Sequence, residues 1–444
     1  MKKVLIAFAV MSAMLASCGQ KQVKLEPVAA PSWYQNETYF NEKNGMYQEL
    51  PIYAENIVLV GDDYIDRGIW SEFYADTTIK NRGITYDASE HVLSRIDGIA
   101  AGKPAKIFVE VGRYDVLHGV STETAAGNIS RIFERCKAIS PRTKLYYINI
   151  VEAGGTEEQI AGFKSLNAAV LEKSHSGLFE YIDVSDFLAE GVKSGKYSWD
   201  NGKYLNGAGY EVLARSIERQ IGKQHLNTAA DKEDKKEITD YYKHRVSMFR
   251  SLPATDGKII MLGNSLNNNA CWTELFPFSE IVNRGISGDI ISGIDQRLDE
   301  IVRHNPSKIF LQSGCNDMYN KEKVVISDVW ADFEKLIKDI RTQLPETDLY
   351  VQSILPVREG NPYSDVFNAA AAEVNKLLKA GTEKYGYFYL DIAAKLSDEK
   401  GNLRADLTFD GIHLNAEGYF IWATELLQGN RLMILTKPED LYSL

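Results

Sequence analysis

Lys258-Ile259-Ile260-Met261-Leu262-Gly263-Asn264-Ser265 is the stretch on which the rest of the chain turns. A short apolar run closed by glycine predicts a buried strand. The glycine permits a tight turn after it, and a serine in such a turn presents its hydroxyl to solvent. Downstream, Ile290, Ile291, Ile294, Leu298, Ile301 and Val302 recur at helical spacing, and Ile309-Phe310-Leu311 forms a second strand before Gly314. A helical pattern over 325–344, a strand at Leu349-Tyr350-Val351, a helix over 369–378, a strand over 387–392 and a helix over 416–427 follow. This alternation predicts a parallel sheet covered by helices on both faces, a three-layer α/β/α domain. Ligands of such sheets bind outside the carboxyl ends of the strands. Ser265, the segment Gly314-Cys315-Asn316-Asp317 and the segment before His413 all fall at that rim.

The same pattern occurs twice. Tyr39-Phe40 corresponds to Tyr241-Tyr242 and Leu50-Pro51 to Leu252-Pro253, at one offset of 202 positions (241 − 39 and 252 − 50). That offset carries Asn81-Arg82-Gly83-Ile84 onto Asn283-Arg284-Gly285-Ile286, and Lys106-Ile107-Phe108 onto Lys308-Ile309-Phe310. Near the end of each copy, Leu205-Asn206 matches Leu414-Asn415 at an offset of 209 (414 − 205). A repeat of this length is a whole domain copied in tandem, since solenoid units are far shorter. The 444 residues therefore divide into domains at 31–225 and 238–432, with a charged linker at 226–237 and a tail at 433–444.

The N-terminus reads as an export signal: Lys2 and Lys3, an apolar stretch over 4–15 too short to span a bilayer, then Leu15-Ala16-Ser17-Cys18. These last residues resemble the bacterial lipobox, which implies a lipid anchor on Cys18, with 19–30 as a tether. Gly19 is not the aspartate associated with inner-membrane retention, and no acidic run follows. The expected address is the outer membrane, facing the periplasm. Net charge is −11 with no basic stripe, which argues against a nucleic-acid partner. Lipidation leaves Cys136, Cys271 and Cys315, which are expected to be packed thiols. Three scattered cysteines make no disulfide framework, and no spacing suggests zinc or another metal.

The second copy carries four motif blocks in order: Gly263-Asn264-Ser265, then Asn283-Arg284-Gly285 running into Ile286-Ser287-Gly288-Asp289, then Gly314-Cys315-Asn316-Asp317, then Asp410-Gly411-Ile412-His413. Asn316 offers an amide N–H that no ionised acid could offer to an oxyanion. The three-residue spacing of the last block lets a carboxylate orient one imidazole nitrogen while the other faces the serine. Together the blocks resemble the SGNH (GDSL-type) hydrolase family, most closely its platelet-activating-factor acetylhydrolase-like branch, over most of 259–427. The resemblance implies a flavodoxin-like α/β fold and acyl transfer by Ser265, His413 and Asp410. It also implies an oxyanion hole made by the N–H groups of Ser265 and Gly285 with the side chain of Asn316, and no cofactor. Asn264 departs from the family's usual aspartate.

The first copy has Asp63 for Ser265, Tyr114 for Asn316, Asn201 for Asp410 and Tyr204 for His413, and keeps only Gly83, the partner of Gly285. It reads as a pseudo-enzyme. Asp62, Asp63 and Asp115 with His118 are better explained by drift than by a metal site. Tyr114 and Tyr204 are expected to fill the old cleft, with stacking on a sugar as the alternative. The two copies are expected to pack as an internal pseudo-dimer. The resulting expectation is an esterase removing small acyl groups, foremost acetyl, from an acylated glycan or other small substrate. The alternatives are a lysophospholipase or thioesterase, and a glycan-binding lipoprotein without catalysis.

Overall fold

The computed structural model describes residues 28, 37–225, 240–277 and 279–428. Cys18 and its signal segment, the linker at 226–237 and the tail at 433–444 lie outside the described residues.

Each copy forms a five-stranded parallel sheet. In the first, β1 (Ile57–Gly61), β2 (Ile79–Gly83), β3 (Lys106–Glu110), β4 (Lys144–Ile148) and β5 (Glu180–Ile182) lie in the order β2-β1-β3-β4-β5. A small antiparallel pair follows, β6 (Ser198–Trp199) with β7 (Tyr204–Leu205). In the second copy, β8 (Ile259–Gly263), β9 (Ile281–Gly285), β10 (Lys308–Gln312), β11 (Asp348–Gln352) and β12 (Phe388–Leu390) repeat the order as β9-β8-β10-β11-β12. Strands β1 and β8 are buried along their whole length, as apolar strands covered on both faces must be. These are two tandem α/β/α domains, as the alternation of periods predicts. The order reverses at β1 and β8, which opens a crevice at their carboxyl ends. The helix expected at 369–378 is longer, Ser364–Ala380, because Tyr363 in the left-handed region turns the chain into it.

Two helices that the apolar periodicity does not announce join the copies. Helix α1 (Glu37–Glu49) precedes the first sheet, and α3 (Asp240–Ser251) precedes the second. Between them lies α2 (Gly207–Ile221), which closes the first copy. Each leading helix is tied to its own copy by a tyrosine: the Tyr39 hydroxyl donates to Asp66 at 2.7 Å, and that of Tyr241 to Asn268 at 3.5 Å. Each also buries apolar side chains in the other copy. Met46 and Leu50 enter the second copy's core beside Trp272 and Trp422. Val246, Met248, Phe249 and Leu252 enter the first copy's core beside Trp70 and Tyr210. The core of each unit is therefore completed by a helix encoded with its neighbour.

The seam repeats one ion pair. Arg82 donates twice to Glu274, at 2.7 and 2.9 Å, and Arg284 donates twice to Glu72, at 3.1 and 3.0 Å. Arg82 and Arg284 are related by the 202-residue offset, as are Glu72 and Glu274, so the contact is isologous. Both guanidinium side chains are fully buried. Arg284 has a second carboxylate, Glu300 at 3.1 Å, whereas the only carboxylate paired with Arg82 among the described residues is Glu274. Glu274→Ala is therefore expected to cost about 3–5 kcal/mol, the penalty for stranding one member of a buried pair. Glu72→Ala should cost less, and Arg82→Leu combined with Glu274→Leu less than Glu274→Ala alone. Urea unfolding of the three variants measures this order.

Candidate active site

The turn after β8 enters the short helix α4 (Ser265–Asn269) with Ser265 as its first residue. Asn264 caps that helix, its side-chain oxygen accepting from the Leu266 N–H at 3.1 Å. In the first copy, Asp62 accepts from Tyr64 N–H at 3.2 Å in the same way. The cap needs only an oxygen acceptor, so the asparagine that departs from the family pattern does the aspartate's structural work.

At the far end of the domain, Asp410 organises the last block. Its Oδ1 accepts from the N–H groups of Ile412 and His413, both at 2.8 Å. Its Oδ2 lies 2.7 Å from His413 Nδ1, and His413 Nε2 lies 2.9 Å from Ser265 Oγ. Burial would raise the Asp410 pKa, but the His413 hydrogen bond and these backbone donors hold it down at about 2. The carboxylate is thus ionised at neutral pH, which puts a proton on Nδ1 and leaves the Nε2 lone pair to accept from the serine. Burial opposes protonation of His413, yet the Asp410 hydrogen bond and charge outweigh it and raise the imidazole above its ordinary value. Asn316, after β10, donates to the Asp289 carbonyl at 2.8 Å. That bond uses one of its two amide hydrogens.

The hydrogen bonding of Gly285 runs against the oxyanion role the motif resemblance implies. Its N–H is already bonded to the Asn283 side chain at 2.9 Å. Gly83 makes the same bond to Asn81 at 2.8 Å in the copy that has no nucleophile. A Cβ at either position would fall 2.2–2.3 Å from the backbone nitrogen of Asp66 or Asn268. Both glycines are kept by close packing of strand against helix. Gly288 differs: it has φ of +81°, and a Cβ there would meet open space. Its first-copy counterpart is Tyr86, which holds φ of +71° at the steric cost a non-glycine residue bears there. The block contains both glycines, and the internal copy distinguishes them.

The first copy's site is filled. Asp63 pairs with Arg67 at 3.1 Å, and the Arg67 guanidinium lies 3.9 Å from the Tyr204 ring centre. Tyr114 packs edge-on against Tyr86 at 5.3 Å. Tyr114 is 3% exposed and Tyr204 7%, so neither ring offers a face to a sugar. The four groups considered for a metal are engaged separately: Asp62 with Glu110 and the Tyr64 N–H, Asp63 with Arg67, Asp115 with Ser89 at 2.6 Å, and His118 with the Tyr114 carbonyl at 2.8 Å.

The other candidates are inert in this sense. Burial pushes Cys271 up to about 11 and Cys315 up to about 12, and it raises Cys136 further still. His304 is a core residue between Glu300 and Thr255, and His244 is buried against Trp199. A cleft of about 400 Å³ lies on the seam, lined by Lys43, Asp66, Arg67, Arg245 and Cys271. Its Lys43 and Asp66 face each other at 3.4 Å, and its lining includes no serine–histidine pair.

The model of the GDSL-like lipase/acylhydrolase family matches this chain twice, at residues 61–212 and 263–421, together more than half its length. Solved structures that align with it include a putative platelet activating factor from Streptococcus pneumonia, at 26% identity over 42% of this chain and 89% of that one, TM-score 0.37. A GDSL-like lipase from Bacteroides thetaiotaomicron aligns at 18% identity over 42% and 95%, TM-score 0.37. A catalytic mutant of an acetylxylan esterase from Geobacillus stearothermophilus aligns at 16% identity over 39% and 96%, TM-score 0.34. No curated protein matches.

One buried pair separates the copies by pH. Asp62 and Glu110 lie against each other where the second copy has Asn264 and Gln312. Burial raises both carboxyls, Glu110 to about 7, and one must keep a proton to donate to the other. The unfolded chain releases such protons near pH 4. The contribution of this pair to folding stability is then fully present below about pH 4 and is lost as pH rises toward 7 and beyond. Asp62→Asn with Glu110→Gln is expected to remove that loss, so the variant should exceed the wild type in thermal midpoint at pH 8 by more than at pH 4.

Proposed function

Because the chain belongs to the GDSL-like lipase/acylhydrolase family, we propose that its second copy is a serine esterase removing small acyl groups, foremost acetyl, from carbohydrate. The continuous path Asp410–His413–Ser265, at 2.7 and 2.9 Å, is the observation that carries this reading. His413 Nε2 takes the Ser265 proton as Oγ bonds to the ester carbonyl carbon, and Asp410 stabilises the imidazolium. His413 then returns the proton to the departing alcohol, leaving an acyl-serine. Water attacks that ester, gives His413 a proton, and releases the acid and free Ser265. Three donors meet the oxyanion in this mechanism: the Ser265 N–H at the start of α4, the Gly288 N–H in its left-handed turn, and the second amide hydrogen of Asn316. The carbohydrate preference is supported by Phe409, next to Asp410 in sequence and 49% exposed, an apolar ring of the kind that stacks on sugars.

Ser265→Ala should lower kcat on p-nitrophenyl acetate by about 10⁴-fold or more, and Asn316→Ala by about 10²–10³-fold. Asp63→Ser should restore nothing in that background, because Asn201 and Tyr204 leave it no base. Rates falling from acetate to palmitate support the acetyl reading, and rates rising toward palmitate favour the lysophospholipase or thioesterase alternative. Wild type no faster than Ser265→Ala on every ester, with no labelling by a fluorophosphonate, would favour the glycan-binding alternative.

For its location, we propose lipid anchorage through Cys18 at the outer membrane facing the periplasm, with the copies acting as one pseudo-dimeric body. No helix among the described residues is long and apolar enough to cross a membrane. Cells fed radiolabelled palmitate should label the wild-type protein and leave Cys18→Ser unlabelled. Equal labelling of both would exclude that site.

A further inference from the structure

Helix α1 brings one more carboxyl to the triad. Glu42 is 8% exposed, and its carboxyl, that of Asp410 and the His413 ring each place an atom within 4.8 Å of the others. Glu42 Oε1 has no hydrogen-bond partner. The remaining groups that act on Glu42 are Lys43, which faces Asp66 at 3.4 Å, and Tyr419, whose hydroxyl donates to the Leu266 carbonyl at 2.8 Å. Neither neutralises it by direct contact. A cation held by the three is disfavoured, because the His413 nitrogens are both engaged, one by Asp410 and one by Ser265.

The duplication supplies a control. The 202-residue offset carries Glu42 onto His244 (244 − 42). His244 is buried beside the first copy's filled site, 5.4 Å from Trp199 between ring centres, with neither ring nitrogen bonded. The leading helices are exchanged between copies, so the carboxyl beside the intact triad is encoded in the first copy. The histidine beside the filled site is encoded in the second. The carboxyl therefore goes with the base it faces, not with the copy that encodes it: where Tyr204 replaces the base, the acid is missing too.

We propose that Glu42 is a positioning residue of the second copy's active site, its carboxylate seating, together with Asp410, the imidazolium that His413 becomes on taking the Ser265 proton. This rests on the esterase reading and adds a role for the degenerate copy, which contributes an acidic residue to its neighbour's site. Burial pushes Glu42 up to about 7, against the pull of His413 and Lys43 and with the push of Asp410. The assistance is thus expected mainly above neutral pH.

The test is an NMR titration of the His413 imidazole in full-length Ser265→Ala protein, with and without Glu42→Gln. Loss of a carboxylate at this distance should lower the His413 pKa by about 1 unit. In the Ser265 protein, the acid limb of the kcat/KM profile should move the same way, with kcat falling more than KM changes. Glu42→Leu, which fills the same space without an amide, should reproduce the shift if Gln disturbs folding. An unchanged His413 titration in a folded variant overturns the proposal. If the pKa falls while the wild type turns over no ester and takes no fluorophosphonate, the coupling stands and the esterase reading alone fails.

Discussion

Two guanidinium groups removed from water, Arg82 and Arg284, are each met by a carboxylate from the other half of the molecule. Arg82 and Arg284 are fully buried, and each is clasped by a glutamate across the seam. Separating the copies would part each arginine from the glutamate across the seam and leave Arg82 with no carboxylate partner among the described residues, while Arg284 keeps Glu300. The leading helices reinforce the constraint, since each closes the core of the unit it does not precede. The seam therefore constrains both domains at once, and the site in the second copy is assembled on it.

Within that frame the differences that bear on chemistry gather where the strands end. Both keep the buried strands, the cap after β1 or β8, and the tight approach at Gly83 or Gly285. They differ in what the rim holds: a serine, a histidine and an open glycine turn in one copy, an ion pair and three tyrosines in the other. Filling the crevice with Arg67 stacked on Tyr204 gives the first copy a packed end where a reactive domain keeps space and an unbonded donor. The tyrosine held at positive φ at position 86 shows that this filling tolerates local strain.

Much of this was readable from residues alone, for identifiable reasons. Buried parallel strands are apolar runs, so Ile259–Gly263 and its repeat announce both sheets without tertiary information. Asp410, His413 and Ser265, which the fold brings within hydrogen-bond reach of one another, stand out in sequence because such an arrangement fixes residue type as well as spacing. The motif points to Gly285 because a motif does not say which backbone N–H is already bonded, and that depends on the Asn283 side chain. The leading helices escaped notice because Phe40, Met46 and Tyr47 serve two surfaces at once and leave no single apolar stripe. Glu42 was invisible for the same reason: its neighbours lie nearly four hundred residues away in sequence, and nothing in its own helix marks it as buried.

A copy that has lost its nucleophile would be dispensable if the domains were independent. Here it holds Glu72, which neutralises Arg284, and the helix that covers Trp272 and Trp422 in the other copy's core. Replacement of Ser, Asn, Asp and His at the first copy's rim leaves these contacts untouched, because the ion pairs and the buried helix faces are made by other residues. Substitution of Arg82 or Glu72 would be felt in both domains. Because the ion pairs and helix faces do not depend on the residues replaced at the first copy's rim, that rim can change while its scaffold stays intact, and the changed half remains attached to the half that keeps Ser265, Asp410 and His413.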